Sequence, residues 1–144
     1  ENTRTRLDTG DTIVIHAEGA STLENKPVAD YQELLQQSFN RSGREAVVVL
    51  SQREGGRSWY HLVTREGAAM SYAKNHPVPF LETGISGGDA PPSVVSVSLG
   101  EEPSRGGERQ RVKVTGSVCF DTDFPALTRR LGGASLWLET SSTW

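Results

Sequence analysis

Several short groups of residues in this chain are of types that can do chemistry. Asp8-Thr9-Gly10 sets a carboxylate in a tight turn. Two such carboxylates brought together share one proton, so that one serves as acid and the other as base. Ser86 stands in Gly84-Ile85-Ser86-Gly87-Gly88, and a serine there needs an imidazole to take its proton. His16, His61 and His76 are the chain's three histidines, and nothing in their spacing selects one of them. Cys119 is the single thiol. A reactive thiol prefers cationic neighbours, whereas Asp121 and Asp123 follow it closely, so a small packing residue is the favoured reading.

Two of these groups resemble known signatures. Asp8-Thr9-Gly10 resembles the Asp-Thr-Gly triad of aspartic proteases, which implies a carboxylate paired across a dimer or pseudo-dimer. That family places an apolar strand before the triad, and here Arg4-Thr5-Arg6 precedes Leu7, so an ordinary turn before a strand is preferred. Gly84–Gly88 matches the G-x-S-x-G pattern of a nucleophile elbow and is loosely similar to the GDSGG loop of serine peptidases, with Ile85 at the Asp position. An elbow needs a helix after its serine, and Asp89-Ala90-Pro91-Pro92 cannot open one. A flexible glycine loop is the better description.

Metal and cofactor chemistry find little footing. No H-x-H or H-x-x-x-H pair exists. Asp121-x-Asp123 lacks the later glycine and glutamate of a calcium loop, and Asp123 is expected to cap a short helix begun by Pro125. The expectation is no metal and no cofactor. Asn40-Arg41-Ser42 fits a glycosylation sequon, which matters only in a eukaryotic secretory pathway.

Two surface features suit binding better than catalysis. Trp59-Tyr60-His61 lie in one strand, so Trp59 and His61 face one side and Tyr60 the other. Arg105, Arg109, Arg111 and Lys113 form a basic stretch able to touch phosphate, an anionic surface or an acidic partner, although Glu101, Glu102 and Glu108 lie nearby.

The elements that must position these residues are mostly strands. Ala46–Leu50, Ser93–Leu99 and Arg111–Val118 alternate or run apolar and end at turn residues. Thr12–Ala17, Ser58–Thr64, Ala68–Ala73 and Ala134–Glu139 add four more candidates, and the short loop Arg53-Glu54-Gly55-Gly56 joins two of the runs as a hairpin. One amphipathic helix is expected over about 30–41, with Tyr31, Leu34, Leu35 and Phe39 on its apolar face, Asp30 and Glu33 as a capping box, and Ser42-Gly43 as the stop. A short helical turn is expected at Phe124–Leu131. Glu1–Arg6 reads as a solvated terminus. The fold class is α+β, mainly antiparallel sheet with one principal helix; a β-sandwich with an inserted helix is the alternative.

With 144 residues, 35% hydrophobic and 23% charged, the chain reads as one domain, 1–144, with a Gly/Pro-rich loop at 84–92. A net charge of −3 argues against nucleic acid as partner, and no apolar run is long enough to span a bilayer. The functional expectation is a small extracytoplasmic binding or assembly domain, periplasmic or secreted and processed from a precursor, acting on another protein. A trimmed fragment and a cytoplasmic location are the alternatives for terminus and place. A small hydrolase using Ser86 or Asp8, and an anion or nucleic-acid binder using 105–113, are the alternatives for function.

Overall fold

The computed structural model describes residues 3–18, 26–102 and 107–141. The apolar spacing of Tyr31, Leu34, Leu35 and Phe39 forms the expected helix, α2, Val28–Ser42, with Tyr31 and Leu35 buried. It begins three residues earlier than the Asp30–Glu33 capping box predicts. Pro27 takes the N-cap position in an extended conformation, Asp30 falls within the first turn, and no side chain caps the helix. Gly43, at φ 67°, ends it and returns its N–H to the Phe39 carbonyl.

The N-terminal residues are not the solvated tether expected of them. Thr3–Asp8 forms a short helix, α1, because Leu7 packs against Tyr31 and Leu35 of α2 and Thr3 Oγ1 meets His16 Nε2 at 2.8 Å. Burying one leucine and satisfying one hydroxyl anchors a segment whose composition is otherwise polar.

Strands β1 (Ile13–Ile15), β2 (Val47–Glu54), β3 (Arg57–Thr64) and β4 (Gly67–Ala73) make one sheet in the order β1-β2-β3-β4. Strands β5 (Val95–Ser98), β6 (Arg111–Val118) and β7 (Leu136–Thr140) make a second in the order β5-β6-β7. The β2–β3 hairpin closes through Gly55 and Gly56, both at positive φ, between the paired residues Glu54 and Arg57. That backbone is the primed two-residue turn that matches strand twist.

The α+β class is as expected, with most pairs antiparallel. Two pairs depart from the rule that sequence neighbours pair antiparallel: β1 with β2, and β6 with β7, are parallel. Their connections explain it. Each runs through helix, α2 in the first case and residues 119–135 in the second, and such a crossover returns the chain in the same direction. In the second crossover a 3₁₀ turn at Cys119–Asp123 leads into α3, Pro125–Thr128, and a further 3₁₀ turn at Arg129–Leu131. Phe124 holds the N-cap position of α3, so Asp123 does not cap it.

The sheets face each other across Val47, Val49, Tyr60, Leu62, Met70, Tyr72, Val97, Val114, Val118 and Leu138. Helices α1 and α2 cover the outer face of the first sheet through Leu7, Tyr31 and Leu35 against Val48, Leu50 and Val63. Tyr60 crosses the core and donates to the Leu138 carbonyl at 2.8 Å. It passes directly over Gly116, where any Cβ would collide with its hydroxyl. Among the described residues, no helix is long and apolar enough to cross a membrane.

Strand direction decides where the ends gather. β4 runs parallel to β1, and the Val118 N–H at the end of β6 donates to the Tyr72 hydroxyl near the end of β4. The Glu18 N–H, just past β1, donates to the Ser141 carbonyl, just past β7. The C-terminal ends of β1, β4, β6 and β7 therefore meet at one edge of the paired sheets.

Candidate functional site

Three of those strand ends, of β1, β4 and β6, are followed by the polar side chains Glu18, Lys74 and Cys119. Lys74 follows β4 and is fully buried, an arrangement a lysine tolerates only with partners. Its Nζ donates to Glu18 Oε1 at 3.0 Å and to both oxygens of Glu82, at 3.0 and 2.8 Å. Glu18 comes from the loop after β1. Glu82 comes from the loop after Lys74, where its Oε2 also accepts the Val78 N–H. Burial alone would discharge Lys74, but the two carboxylates outweigh it and raise its pKa above the usual lysine value. Burial likewise pushes Glu82 up, and Lys74 with the Val78 N–H outweighs that, leaving its carboxyl below the usual range. A hydrogen bond from the Glu18 carboxyl acts in the same direction. The two glutamates thus share one cation and are close enough to share a proton.

Cys119 follows β6 and is half-buried. Its φ is +42°, in a region that costs a side-chain-bearing residue about 1–3 kcal/mol and is kept only where the surroundings enforce it. Two residues on in the same turn stands Asp121, which is fully buried. One carboxylate oxygen of Asp121 accepts the Tyr72 hydroxyl at 3.2 Å and the Asn75 N–H at 2.8 Å. The other accepts the His76 N–H at 2.7 Å and His76 Nδ1 at 2.9 Å. These bonds fasten Tyr72–His76, with Lys74 in its middle, to the turn that begins at Cys119. Burial, and then the Asp121 charge, push the Tyr72 phenol far up, so it stays a neutral donor. The His76 ring stacks on Phe124 with centroids 3.5 Å apart and planes 6° from parallel, and Phe120 meets Phe124 edge-on.

The result is a thiol on a turn at positive φ, and that turn is tied through Asp121 to the segment carrying Lys74, itself buried between two carboxylates. Those are the parts of nucleophilic acyl transfer: a nucleophile, groups able to hold its proton, and a fixed positive charge for a developing oxyanion.

Of the residues singled out in the sequence, Cys119, His76 and Asp121 belong to this arrangement, and the others lie elsewhere. Trp59 and His61 do share a face, stacked at 6.2 Å, and His61 Nδ1 meets Ser71 Oγ at 2.7 Å. Burial lowers the His61 pKa, against an opposing pull from Glu54. Tyr60, between them, belongs to the inter-sheet core. Arg109 is engaged with Glu45 at 2.7 Å, Arg111 with the Ser96 carbonyl at 2.8 Å, and Lys113 is exposed on β6; Arg105 lies outside the described residues. Asp8 ends α1 and pairs with Arg41 at 2.6 Å on the surface. Ser86 is exposed, its N–H bonded to the Gly56 carbonyl at 2.8 Å, while His16, His61 and His76 bond to Thr3, Ser71 and Asp121. Among the described residues, no three His, Cys, Asp or Glu side chains gather as a metal site requires.

Cys119, expected to serve packing because Asp121 and Asp123 follow it, does pack against the inter-sheet core, and the Asp121 carboxylate is turned into the protein and bonded there. Lys74 carried the missed signal: a lysine closing a β-rich run, with glutamate at Glu82. Lys74 lies just past β4, 45 residues upstream of Cys119, and only tertiary contacts through Asp121 tie its segment to the Cys119 turn.

No protein-family model matches the chain, and no curated protein matches it. Among solved structures, a crystal structure of an N-terminal amidase superposes with a TM-score of 0.45 at 12% identity, over 81% of this chain and 34% of that one. The chain thus spans about a third of that structure's length. A likeness of this size carries no chemistry.

Proposed function

We propose that the protein is a cysteine-dependent acyl-transfer enzyme, hydrolysing or transferring the acyl group of an amide or ester through a Cys119 thioester. The observation that carries this reading is the Asp121 clamp. It holds the Lys74 segment against the turn in which Cys119 is strained. In this reading Glu18 takes the thiol proton. Glu82 is the poorer base, because both its oxygens bind Lys74 and one also binds the Val78 N–H. Lys74 keeps the carboxylates in place, and its charge stabilises the oxyanion formed when sulfur attacks the carbonyl carbon.

The test is intact-mass analysis after mixing with p-nitrophenyl butyrate. A butyryl adduct mapped to Cys119 is expected, with release of p-nitrophenol abolished in Cys119→Ala. Undiminished release from Cys119→Ala overturns the reading.

A second reading keeps the protein-binding role expected from the sequence. It is favoured by the stacked Trp59–His61 pair, which lies on the face of β3 opposite the inter-sheet core. Immobilised protein retaining a partner that Trp59→Ala releases, with Cys119→Ala unaffected, would support it.

A further inference from the structure

His76 is fixed more tightly than the fold needs. Asp121 already accepts the Tyr72 hydroxyl and the backbone N–H groups of Asn75 and His76, so its buried carboxylate is satisfied without the imidazole. Nδ1 nevertheless meets the carboxylate at 2.9 Å, and the ring plane is set by its stack on Phe124. The side chain remains 37% exposed, and among the described residues none is bonded to Nε2. Asp121 and Phe124 belong to the turn that Cys119 opens, so the imidazole lies against the nucleophile's own turn. A carboxylate holding one ring nitrogen while the other is presented outward is the arrangement that orients an imidazole for proton transfer.

We infer that His76 is a catalytic residue of this site, delivering a proton from Nε2 to the leaving nitrogen of an amide substrate. The inference rests on the acyl-transfer reading and extends it from activated esters to amides. As Sγ bonds to the carbonyl carbon, the thiol proton passes to Glu18 and the carbonyl π pair moves to oxygen. Collapse restores the carbonyl and breaks the C–N bond, the nitrogen leaving with that electron pair. Imidazolium His76 supplies the one proton this nitrogen needs and becomes neutral. Water then attacks the thioester carbon and loses a proton to Nε2, and the departing thiolate takes back the proton held by Glu18. Thiol, carboxylate and imidazolium are restored, and amide plus water has become acid plus amine.

The experiment compares p-nitrophenyl butyrate, whose phenolate leaves without a proton, with butyryl p-nitroanilide, whose nitrogen needs one. The variants are His76→Asn, which keeps a donor for Asp121 but lacks Nε2, and His76→Ala. Loss of a general acid predicts that kcat/KM for the anilide falls about 100-fold in both variants. For the ester, only the acylation step is compared: the p-nitrophenol burst that reports Cys119 acylation needs no proton from Nε2 and should stay within about threefold in His76→Asn, which also certifies that the site is folded. Equal losses on both substrates in His76→Asn assign His76 to structure and overturn the inference while leaving the Cys119 adduct intact. Failure of the unaltered protein to cleave the anilide while it still forms the ester adduct overturns it too. Absence of any adduct at Cys119 removes the acyl-transfer reading itself, and the inference with it.

Discussion

Opposite edges of the paired sheets hold mirror-image charge clusters. At the C-terminal ends of β1, β4 and β6, Lys74 sits between Glu18 and Glu82. At the other edge, Glu45 sits between Arg65 and Arg109, at 2.8 and 2.7 Å, and both guanidinium groups lie over the Phe39 ring at 4.1 and 5.4 Å. A cleft of about 200 Å3 opens beside that second cluster, lined by Glu45, Arg65, Ser96 and Arg111 among others. Guanidinium is planar and stays charged, so two arginines clamping one carboxylate make a closed, permanent unit. Lysine between two carboxylates leaves one negative charge in excess, and that excess can take up a proton. In the proposed acyl-transfer reading the Lys74 cluster is the one that takes part in chemistry, although the cleft lies beside the other.

Removing the central charge is the sharpest way to break this contrast. Lys74→Met leaves two buried carboxylates without a counterion, and its folding stability in urea should fall by about 3–5 kcal/mol. Loss of acylation is expected even where the variant remains folded, and a full rate of adduct formation would remove Lys74 from the chemistry. Glu45→Ala should cost less, about 2–3 kcal/mol, because the two arginines it releases are partly exposed. Acylation of Cys119 by p-nitrophenyl butyrate should be unchanged in the folded fraction. A loss there would mean that the two edges are coupled.

The pH dependence separates the clusters more gently. The pKa of Glu82 is lowered by folding, so its contribution is present above its ordinary value of 4.5 and is lost as pH falls through the lower folded value. That of Lys74 is raised, so its contribution is present below 10.5 and is lost as pH rises through the higher folded value. Stability followed by urea midpoint should therefore fall at both extremes, and Glu82→Gln should flatten the acid limb. An unchanged acid limb would assign the loss to other carboxylates. The smallest effect is expected at Cys119→Gly. Relief of the φ +42° strain, set against added chain entropy, should leave stability within about 1 kcal/mol while abolishing acylation. A loss well beyond that would mean that the thiol is held by packing rather than placed under strain.

The local elements were legible because their signals are local. The Tyr31–Phe39 spacing marked α2, Gly55-Gly56 marked the β2–β3 turn, and the Val112–Val118 alternation marked β6. Even here neighbours intervened. Pro27 supplied the helix start in place of the Asp30–Glu33 box, and Leu7 turned a polar terminus into helix. The candidate site was not legible as a unit, since its residues stand one at a time at strand ends, and the parallel β1–β2 and β6–β7 pairs that align those ends carry no mark in a sequence read as mainly antiparallel.

By itself the sequence determined which segments become strands and helix, because side-chain periodicity and turn chemistry act over a few residues. It also determined that the nucleophiles were few. Only the tertiary structure decided which polar groups meet. The buried Lys74 cluster and the Asp121 clamp draw Glu18, Lys74, Glu82 and Asp121 together from separate parts of the chain, because Coulomb and hydrogen-bond energies follow distance in space, to which separation along the chain is blind.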